Sequence, residues 1–296
     1  MLQLSCMQKQ DQKHLFQRIA FNQVGREETI PTLLLVLLAV FLVTGSLVVA
    51  NRYFGIQGAS ADDGLSAVEF FELGENYYED GAYPKAIAAY SNAVFLDPGN
   101  YAAFLNRGTA LLNLGDVQSA IADFNRAIVL DPDQTDPYMR RALAFIQLGA
   151  YDEALRDYHH ALIVNPTLSD AYAGRGTVFL HLQAYNKAIA AYDHAKAMSP
   201  NNEVFAEYLG HAYYLRGVMQ LDAGKYGDAA EDFTMSLDYL PTSAEVLYQR
   251  ATCFEKMGEI DQAVADYQTV VSLDTAAPLH DQAQSRLMVL SEENHQ

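Results

Sequence analysis

Residues 101–132 read YAAFLNRGTALLNLGDVQSAIADFNRAIVLDP, and this stretch decides the fold. It holds two apolar-periodic segments joined by a Leu-Gly-Asp turn, and it ends on a proline. Gly108 and Ala120 put a small side chain in each segment, and Phe124 follows Ala120 on the same helical face. Two helices cross closely where side chains are this small. The stretch therefore predicts a helix hairpin with an aromatic ring in its seam.

The same pattern recurs with a period of 34 residues, and a fixed period of this length is typical of solenoids. Six copies span residues 67–100, 101–134, 135–168, 169–202, 210–243 and 244–277. Their seam aromatics are Tyr90, Phe124, Tyr158, Tyr192, Phe233 and Tyr267. The turns inside the hairpins carry Gly81, Gly115, Gly149, Gly224 and Gly258. Prolines that end the second segments are Pro98, Pro132, Pro166, Pro200 and Pro241.

Three departures from the period also carry predictions. Gln183 replaces the turn glycine of the fourth copy, at a cost of roughly 1 kcal/mol if it is left-handed. Thr275 replaces the last proline, and seven extra residues, Glu203–Leu209, precede the fifth copy. Seven residues are close to two helical turns, so we expect one long helix from about residue 202 to residue 223. Residues 278–296 should form a capping helix, to about residue 291, and a tail.

This pattern resembles the tetratricopeptide repeat, most closely at Asn106-Arg107-Gly108 and from Ala120 to Ile128. The resemblance covers residues 67–277. It implies an all-α, right-handed α-solenoid of six helix hairpins. In that family the first helix of each hairpin lines a concave binding groove, so the chain should present such a groove to a partner.

By the family's pattern, the fifth and twelfth positions of the first helices face the groove. Here these positions are Phe71, Tyr78, Leu105, Leu112, Met139, Ile146, Ala173, Leu180, Tyr214, Leu221, Tyr248 and Glu255. The acidic residues expected at the rim are Glu75, Glu79, Asp136, Asp170, Asp222 and Glu245. A water-facing groove this apolar predicts a strip that binds an apolar or amphipathic peptide with basic flanks. The alternative is that these side chains pack on neighbouring repeats. If they bind a partner, replacing Tyr214 and Tyr248 by alanine should abolish capture and leave the melting temperature nearly unchanged.

Chaperone-tail-binding members of the family hold a C-terminal carboxylate with a clamp of lysines, arginine and asparagines. The matching positions here are Phe71, Leu105 and Met139, with Asn106 and Arg140 as the only polar remnants. This difference argues against recognition of an acidic chaperone tail.

Arginine occupies the seventh position of five copies, at Arg107, Arg141, Arg175, Arg216 and Arg250. The copies of all but Arg175 also carry an aspartate beside the seam aromatic: Asp123, Asp157, Asp232 and Asp266. Residues that occur together in this way predict ion pairs between the two helices of a hairpin. Arg175 faces Ala191 instead, and either reaches Asp157 of the preceding copy or stays free for a ligand.

The segment before the repeats predicts a single membrane pass. Residues 30–50 lack charge and, as a helix, would span the roughly 30 Å hydrocarbon core. Basic residues are concentrated before this segment, so residues 1–28 should form a short cytoplasmic tail. Residues 51–66 would be a linker, and the repeats would lie outside the cytoplasm of a bacterial-type inner membrane. The rival interpretation is a signal peptide cleaved after Ala61.

Charge and motifs narrow the function further. Residues 51–296 carry 15 basic and 34 acidic side chains, a net charge of −19, which disfavours nucleic-acid binding. No phosphate loop or nucleophile motif is present, so we expect neither an enzyme nor a cofactor. A metal at His181, His211 and Asp222 would be the one foothold for catalysis. Two functions remain: a membrane-tethered interaction scaffold or assembly factor, and a constitutive structural subunit of a larger membrane complex.

Overall fold

The computed structural model describes residues 64–273 and 277–293, and the side chains of residues 277 and 293 are not included. In these two ranges the chain forms thirteen helices and no strand. The first six are α1 (Ala67–Glu79), α2 (Tyr83–Leu96), α3 (Tyr101–Asn113), α4 (Val117–Leu130), α5 (Asp136–Gln147) and α6 (Tyr151–Val164). The next six are α7 (Ser169–His181), α8 (Tyr185–Met198), α9 (Glu203–Asp222), α10 (Tyr226–Tyr239), α11 (Ala244–Met257) and α12 (Ile260–Ser272). The last is α13 (Ala277–Glu293).

Each repeat holds two of these helices, packed through the seam that the sequence predicts. Ala120 and Phe124 are fully buried. A Cβ added at Gly108 would lie 2.7 Å from Cε1 of Phe124, and one added at Gly74 would lie 2.5 Å from the ring of Tyr90. The ring therefore takes the space that a side chain on the first helix would need. The predicted all-helical solenoid of hairpins is confirmed.

The turn of the fourth hairpin keeps the backbone of the others although it lacks glycine. Gln183 has a φ of 56°, and the five turn glycines have φ between 70° and 83°. A residue with a Cβ is strained in this left-handed region by about 1 kcal/mol. Gln183 thus takes the left-handed conformation on which the expected cost depended, and the packing of the fourth hairpin outweighs the local strain.

The long helix predicted from the insertion is confirmed as α9, with the Asn202 side chain accepting a hydrogen bond from the backbone N–H of Val204. The two helical turns that the insertion adds have one side in the protein core, where Phe205 and Leu209 are buried. A Cβ at Gly210 would lie 2.7 Å from Cγ of Leu240, so α9 and the end of α10 make close contact there. The insertion lengthens the helix without disturbing the seam.

The final helix, α13, covers the apolar end of the sixth repeat, as the sequence predicts. Ala283 and Leu290 are fully buried against α11 and α12. Arg286 also donates two hydrogen bonds to the carboxylate of Glu255, a residue that the sequence analysis had placed in the groove. Glu255 therefore holds the cap in place.

The predicted arginine–aspartate pairs are confirmed, and each has two parallel hydrogen bonds. Arg141, for example, donates to Asp157 over 2.8 and 2.6 Å, and the aspartate side chain is only 4% exposed. The other pairs are Arg107 with Asp123, Arg216 with Asp232, and Arg250 with Asp266. Paired, doubly hydrogen-bonded geometry is what makes a nearly buried carboxylate tolerable.

Each paired arginine also reaches back to the preceding repeat, which the sequence analysis did not predict. The acceptors are Ser91 for Arg107, Asn125 for Arg141, Asn186 for Arg216 and Thr234 for Arg250. One side chain thus joins three helices from two repeats. Arg175 forms no ion pair with any residue of the described ranges, and its guanidinium lies 6.0 Å from the ring centroid of Phe179.

The predicted transmembrane segment, residues 30–50, lies outside the described residues, as do the tail and most of the linker. Among the helices in the described ranges, none combines the length and the apolar character that a membrane crossing requires.

Replacing Arg141 by alanine should lower the free energy of unfolding by about 1–3 kcal/mol, because Asp157 stays nearly buried without its charged donor. Arg175→Ala is the matched control at the same position of the next repeat, where no carboxylate loses a partner. We expect it to cost about 0.5 kcal/mol or less. Urea unfolding followed by circular dichroism measures both, and equal losses would contradict a structural role for the pairs.

Candidate functional site

The positions predicted to face a groove lie along the first helices of the six repeats, and neighbouring first helices line common cavities. We call this first-helix surface the groove. Most of the predicted residues are half-buried, and all of these except Tyr78 have one face against a core cluster. These are Phe71, Tyr78, Leu112, Met139, Ile146, Leu180, Tyr214, Leu221 and Tyr248. Leu105 and Ala173 are only 7% and 6% exposed, so they support the surface from beneath.

The aromatic residues of the groove rest on the seam rings below them. Phe71 lies 5.7 Å from Tyr90, Tyr214 lies 6.0 Å from Phe233, and Tyr248 lies 5.3 Å from Tyr267, measured between ring centroids. Ring pairs at these distances are stabilising beyond the area they bury. Both rings also pack against core clusters, which argues against the expectation that Tyr214 and Tyr248 can be removed without a change in melting temperature.

A polar cavity of about 130 Å³ opens between the first helices of the first three repeats. Its lining residues are Glu75, Tyr78, Glu79, Tyr90, Asn106, Thr109 and Arg140. Burial, followed by the charge of Glu75, raises the pKa of Tyr90 to about 12, so this hydroxyl stays protonated. The Nε of Arg140 is buried and has no hydrogen-bond partner among the residues that the structure describes. Two carboxylates and one guanidinium leave this end of the groove with a net negative charge.

A larger and more apolar cavity of about 420 Å³ is enclosed by the third repeat, the fourth repeat and the beginning of α9. On one side it is lined by the predicted groove residues Met139 and Ile146. On the other side it is lined by Val204, Phe205 and Tyr208, which belong to the insertion that lengthens α9. The residues of this wall are not among the predicted groove residues. The apolar side chains within the insertion were the feature of the sequence that could have indicated them.

A second apolar surface lies away from the groove, near the ends of the second helices of the first three repeats. Phe95 is 58% exposed, Val129 is 71% exposed and Ile163 is 62% exposed, although all three occupy the same position of the repeat. The last three repeats have Ala197, Asp238 and Ser272 at that position. This second apolar surface is therefore confined to the first three repeats.

His181, which was a candidate metal ligand, and the one cysteine of the described ranges both pack against other side chains. His181 stacks on Tyr151 with 5.4 Å between ring centroids, and no three His, Cys, Asp or Glu residues of these ranges are placed to hold a metal. Cys253 is fully buried, and burial raises the pKa of its thiol to about 11. A thiol in this state is a poor nucleophile.

A solenoid of helix hairpins with a partly exposed apolar groove defines a class of protein that binds other proteins. Tetratricopeptide-repeat sequence profiles match residues 71–135, 139–203 and 245–274. The chain belongs to the tetratricopeptide-repeat family. Members of this family are protein-interaction scaffolds and are typically not enzymes.

Solved structures share the fold, and no curated protein matches the chain. A tetratricopeptide repeat protein from Parabacteroides merdae is 22% identical with a TM-score of 0.52, over 77% of this chain and 88% of that one. MamA is 23% identical with a TM-score of 0.50, over 60% of this chain and 94% of that one. YrrB, described as a TPR protein with an unusual peptide-binding site, is 17% identical with a TM-score of 0.50, over 67% of this chain and 98% of that one. At these identities the likeness establishes the fold.

Tyr214→Ala should lower the free energy of unfolding by about 1–3 kcal/mol, because a half-buried ring leaves the surface of Phe233 uncovered. Tyr214→Phe is the control. It keeps the ring and loses only the hydrogen bond of 2.8 Å that the hydroxyl donates to Glu245, so it should cost about 1 kcal/mol or less. Thermal and urea unfolding distinguish the two. An unchanged unfolding midpoint for Tyr214→Ala would mean that this ring does not stabilise the fold and is available for binding only.

Proposed function

We propose that this protein is a membrane-tethered scaffold or assembly factor that holds a partner protein by a peptide or helix bound in the groove. The observation that carries the proposal is a row of half-buried apolar residues, interrupted by two cavities, along the first helices. Apolar surface that remains in contact with water favours a ligand that covers it. One face of each of the rings of Phe71, Tyr214 and Tyr248 packs on a seam ring and is held there. The other face is therefore exposed without any rearrangement of the groove.

Charge indicates which peptides suit the groove. Glu75, Glu79, Asp170 and Glu245 are exposed along it, and the whole repeat region is strongly acidic. Opposite charges raise the rate of association and reject acidic competitors. The partner segment we propose is therefore amphipathic, with apolar anchors and flanking lysines or arginines.

The tether is residues 30–50, which we propose cross a cytoplasmic membrane once with residues 1–28 in the cytoplasm and the repeats on the other side. Support comes from the uncharged length of this segment and from the basic residues before it. This arrangement would hold the groove near partners in the envelope or in a membrane complex. The proposed role is binding, without catalysis or a cofactor.

Reversing the charge of the groove should weaken binding of basic peptides. The probe is an array of synthetic 15-residue amphipathic peptides carrying lysine and arginine, with copies carrying aspartate and glutamate instead, and the full-length protein in lipid nanodiscs. The native protein should prefer the basic set by about tenfold or more at low salt, with the preference falling as salt rises. Glu75→Lys with Glu79→Lys should remove most of that preference.

Glu231→Lys with Asp238→Lys is the matched control, because both residues are exposed on the second helix α10 and the change in charge is the same. It should leave the preference largely intact. Equal loss in both double variants would mean that only the net charge matters. Absence of binding to any peptide would argue for a groove that is permanently occupied in a fixed complex.

The tether makes its own prediction for the protein isolated from its native membranes. Its intact mass should include residues 30–50, and it should resist extraction with alkaline carbonate, because a single apolar helix of this length inserts stably. A mature chain that begins at Asp62 would show that the segment is a cleaved signal peptide. In that case the groove proposal stands without the membrane.

A further inference from the structure

The third repeat differs from its neighbours in the surroundings of its seam tyrosine. In the fourth repeat the hydroxyl of Tyr192 lies 3.1 Å from Oγ1 of Thr177, and in the sixth the hydroxyl of Tyr267 lies 3.3 Å from Oγ1 of Thr252. Both threonines occupy the ninth position of their repeat. In the third repeat this position is Leu143, which cannot form a hydrogen bond and is 50% exposed.

Tyr158, the seam tyrosine of the third repeat, leans instead toward the next repeat. A Cβ added at Gly174 would lie 2.3 Å from its Cζ and 2.7 Å from its hydroxyl oxygen. Gly174 therefore leaves the space that the end of this ring occupies. Tyr158 is 1% exposed, and no residue of the described ranges forms a hydrogen bond with its hydroxyl. Burial raises the pKa of Tyr158 above its ordinary value, so the group stays protonated and able to donate.

Tyr158 and Gly174 both line the apolar cavity between the third and fourth repeats. Two other polar side chains on its walls each make a hydrogen bond: the Thr177 hydroxyl donates to the carbonyl oxygen of Ala173, and the side-chain oxygen of Asn202 accepts from the backbone N–H of Val204. Asp170 is an exposed lining residue. The cavity thus combines apolar walls with a hydroxyl that keeps a small accessible surface and has no hydrogen-bond partner in the described ranges, a combination that is typical of binding pockets.

We propose that this cavity is the anchor subsite of the groove, and that it binds an aromatic side chain of the partner whose outer edge carries an O–H or N–H, as in tyrosine or tryptophan. The inference rests on the proposed function. The ring would pack against Met139, Phe205 and Tyr208. The Tyr158 hydroxyl would donate to the oxygen of a tyrosine ligand, or accept from the N–H of a tryptophan. An apolar ring of similar size would cover this hydroxyl without giving it a partner, which costs free energy, so a ligand that supplies one is favoured.

The test compares two probes, N-acetyl-tyrosinamide and N-acetyl-phenylalaninamide, which differ by one hydroxyl group. Ligand-observed NMR titration against the full-length protein in lipid nanodiscs gives a dissociation constant for each, with empty nanodiscs as the blank. We expect the tyrosine amide to bind three- to tenfold more tightly, on the order of one hydrogen bond. Tyr158→Phe keeps the ring, removes the hydroxyl and should bring the ratio close to one.

Leu143→Thr is a second variant with the same expected direction, because it restores the internal partner that the fourth and sixth repeats possess. Tyr267→Phe is the control, since its hydroxyl is already bonded within the chain, and the ratio should not change. Absence of binding by either amide, or a ratio near one in the native protein, overturns the subsite. The preference for basic over acidic peptides is measured in a separate experiment. The proposed function of the groove can therefore be supported even when the proposed subsite is contradicted.

Discussion

The structure depends on one steric constraint, which is the close crossing of the two helices in each hairpin over an aromatic ring. The ring lies where a side chain on the first helix would otherwise be, so glycine or alanine must occupy that position. With the ring buried on both faces, the hairpin has one favourable arrangement. Because every repeat uses the same seam, the helices stack in the same way from the first repeat to the sixth.

Repetition also explains why the groove is only half covered. Each repeat has a neighbour before it and after it along the solenoid, and these neighbours bury the seams and the ends of the arginine side chains. Nothing in the described part of the chain lies across the first helices from the opposite side. The rings of Tyr214 and Tyr248 therefore have one face on the core and one face toward water. The rings that we propose for binding also contribute to stability, which is why their truncation is a poor probe of function.

The distinctive chemistry arises where the repeats differ from one another. Leu143 removes an internal partner from a tyrosine, Gly174 makes room for that tyrosine in the next repeat, and the insertion before the fifth repeat supplies a wall. None of these changes disturbs the seams. A regular scaffold can thus carry a local irregularity without loss of the fold, and the irregularity is where a specific ligand would be distinguished from an unspecific one.

By itself, the sequence determined the hairpins, the long helix α9, the arginine–aspartate pairs and the capping helix. These features depend on residues within one repeat or on a periodicity that any copy reveals. Only the tertiary structure decided how deeply each groove residue is buried, where the arginines make their third contact, and how Tyr158 and the α9 extension enclose a cavity. Those features depend on the angles between helices of different repeats, and residues such as Arg216 and Asn186 meet although they are 30 positions apart. The period specifies which face of a helix a residue occupies, but the distance across the seam to its neighbour is set by packing.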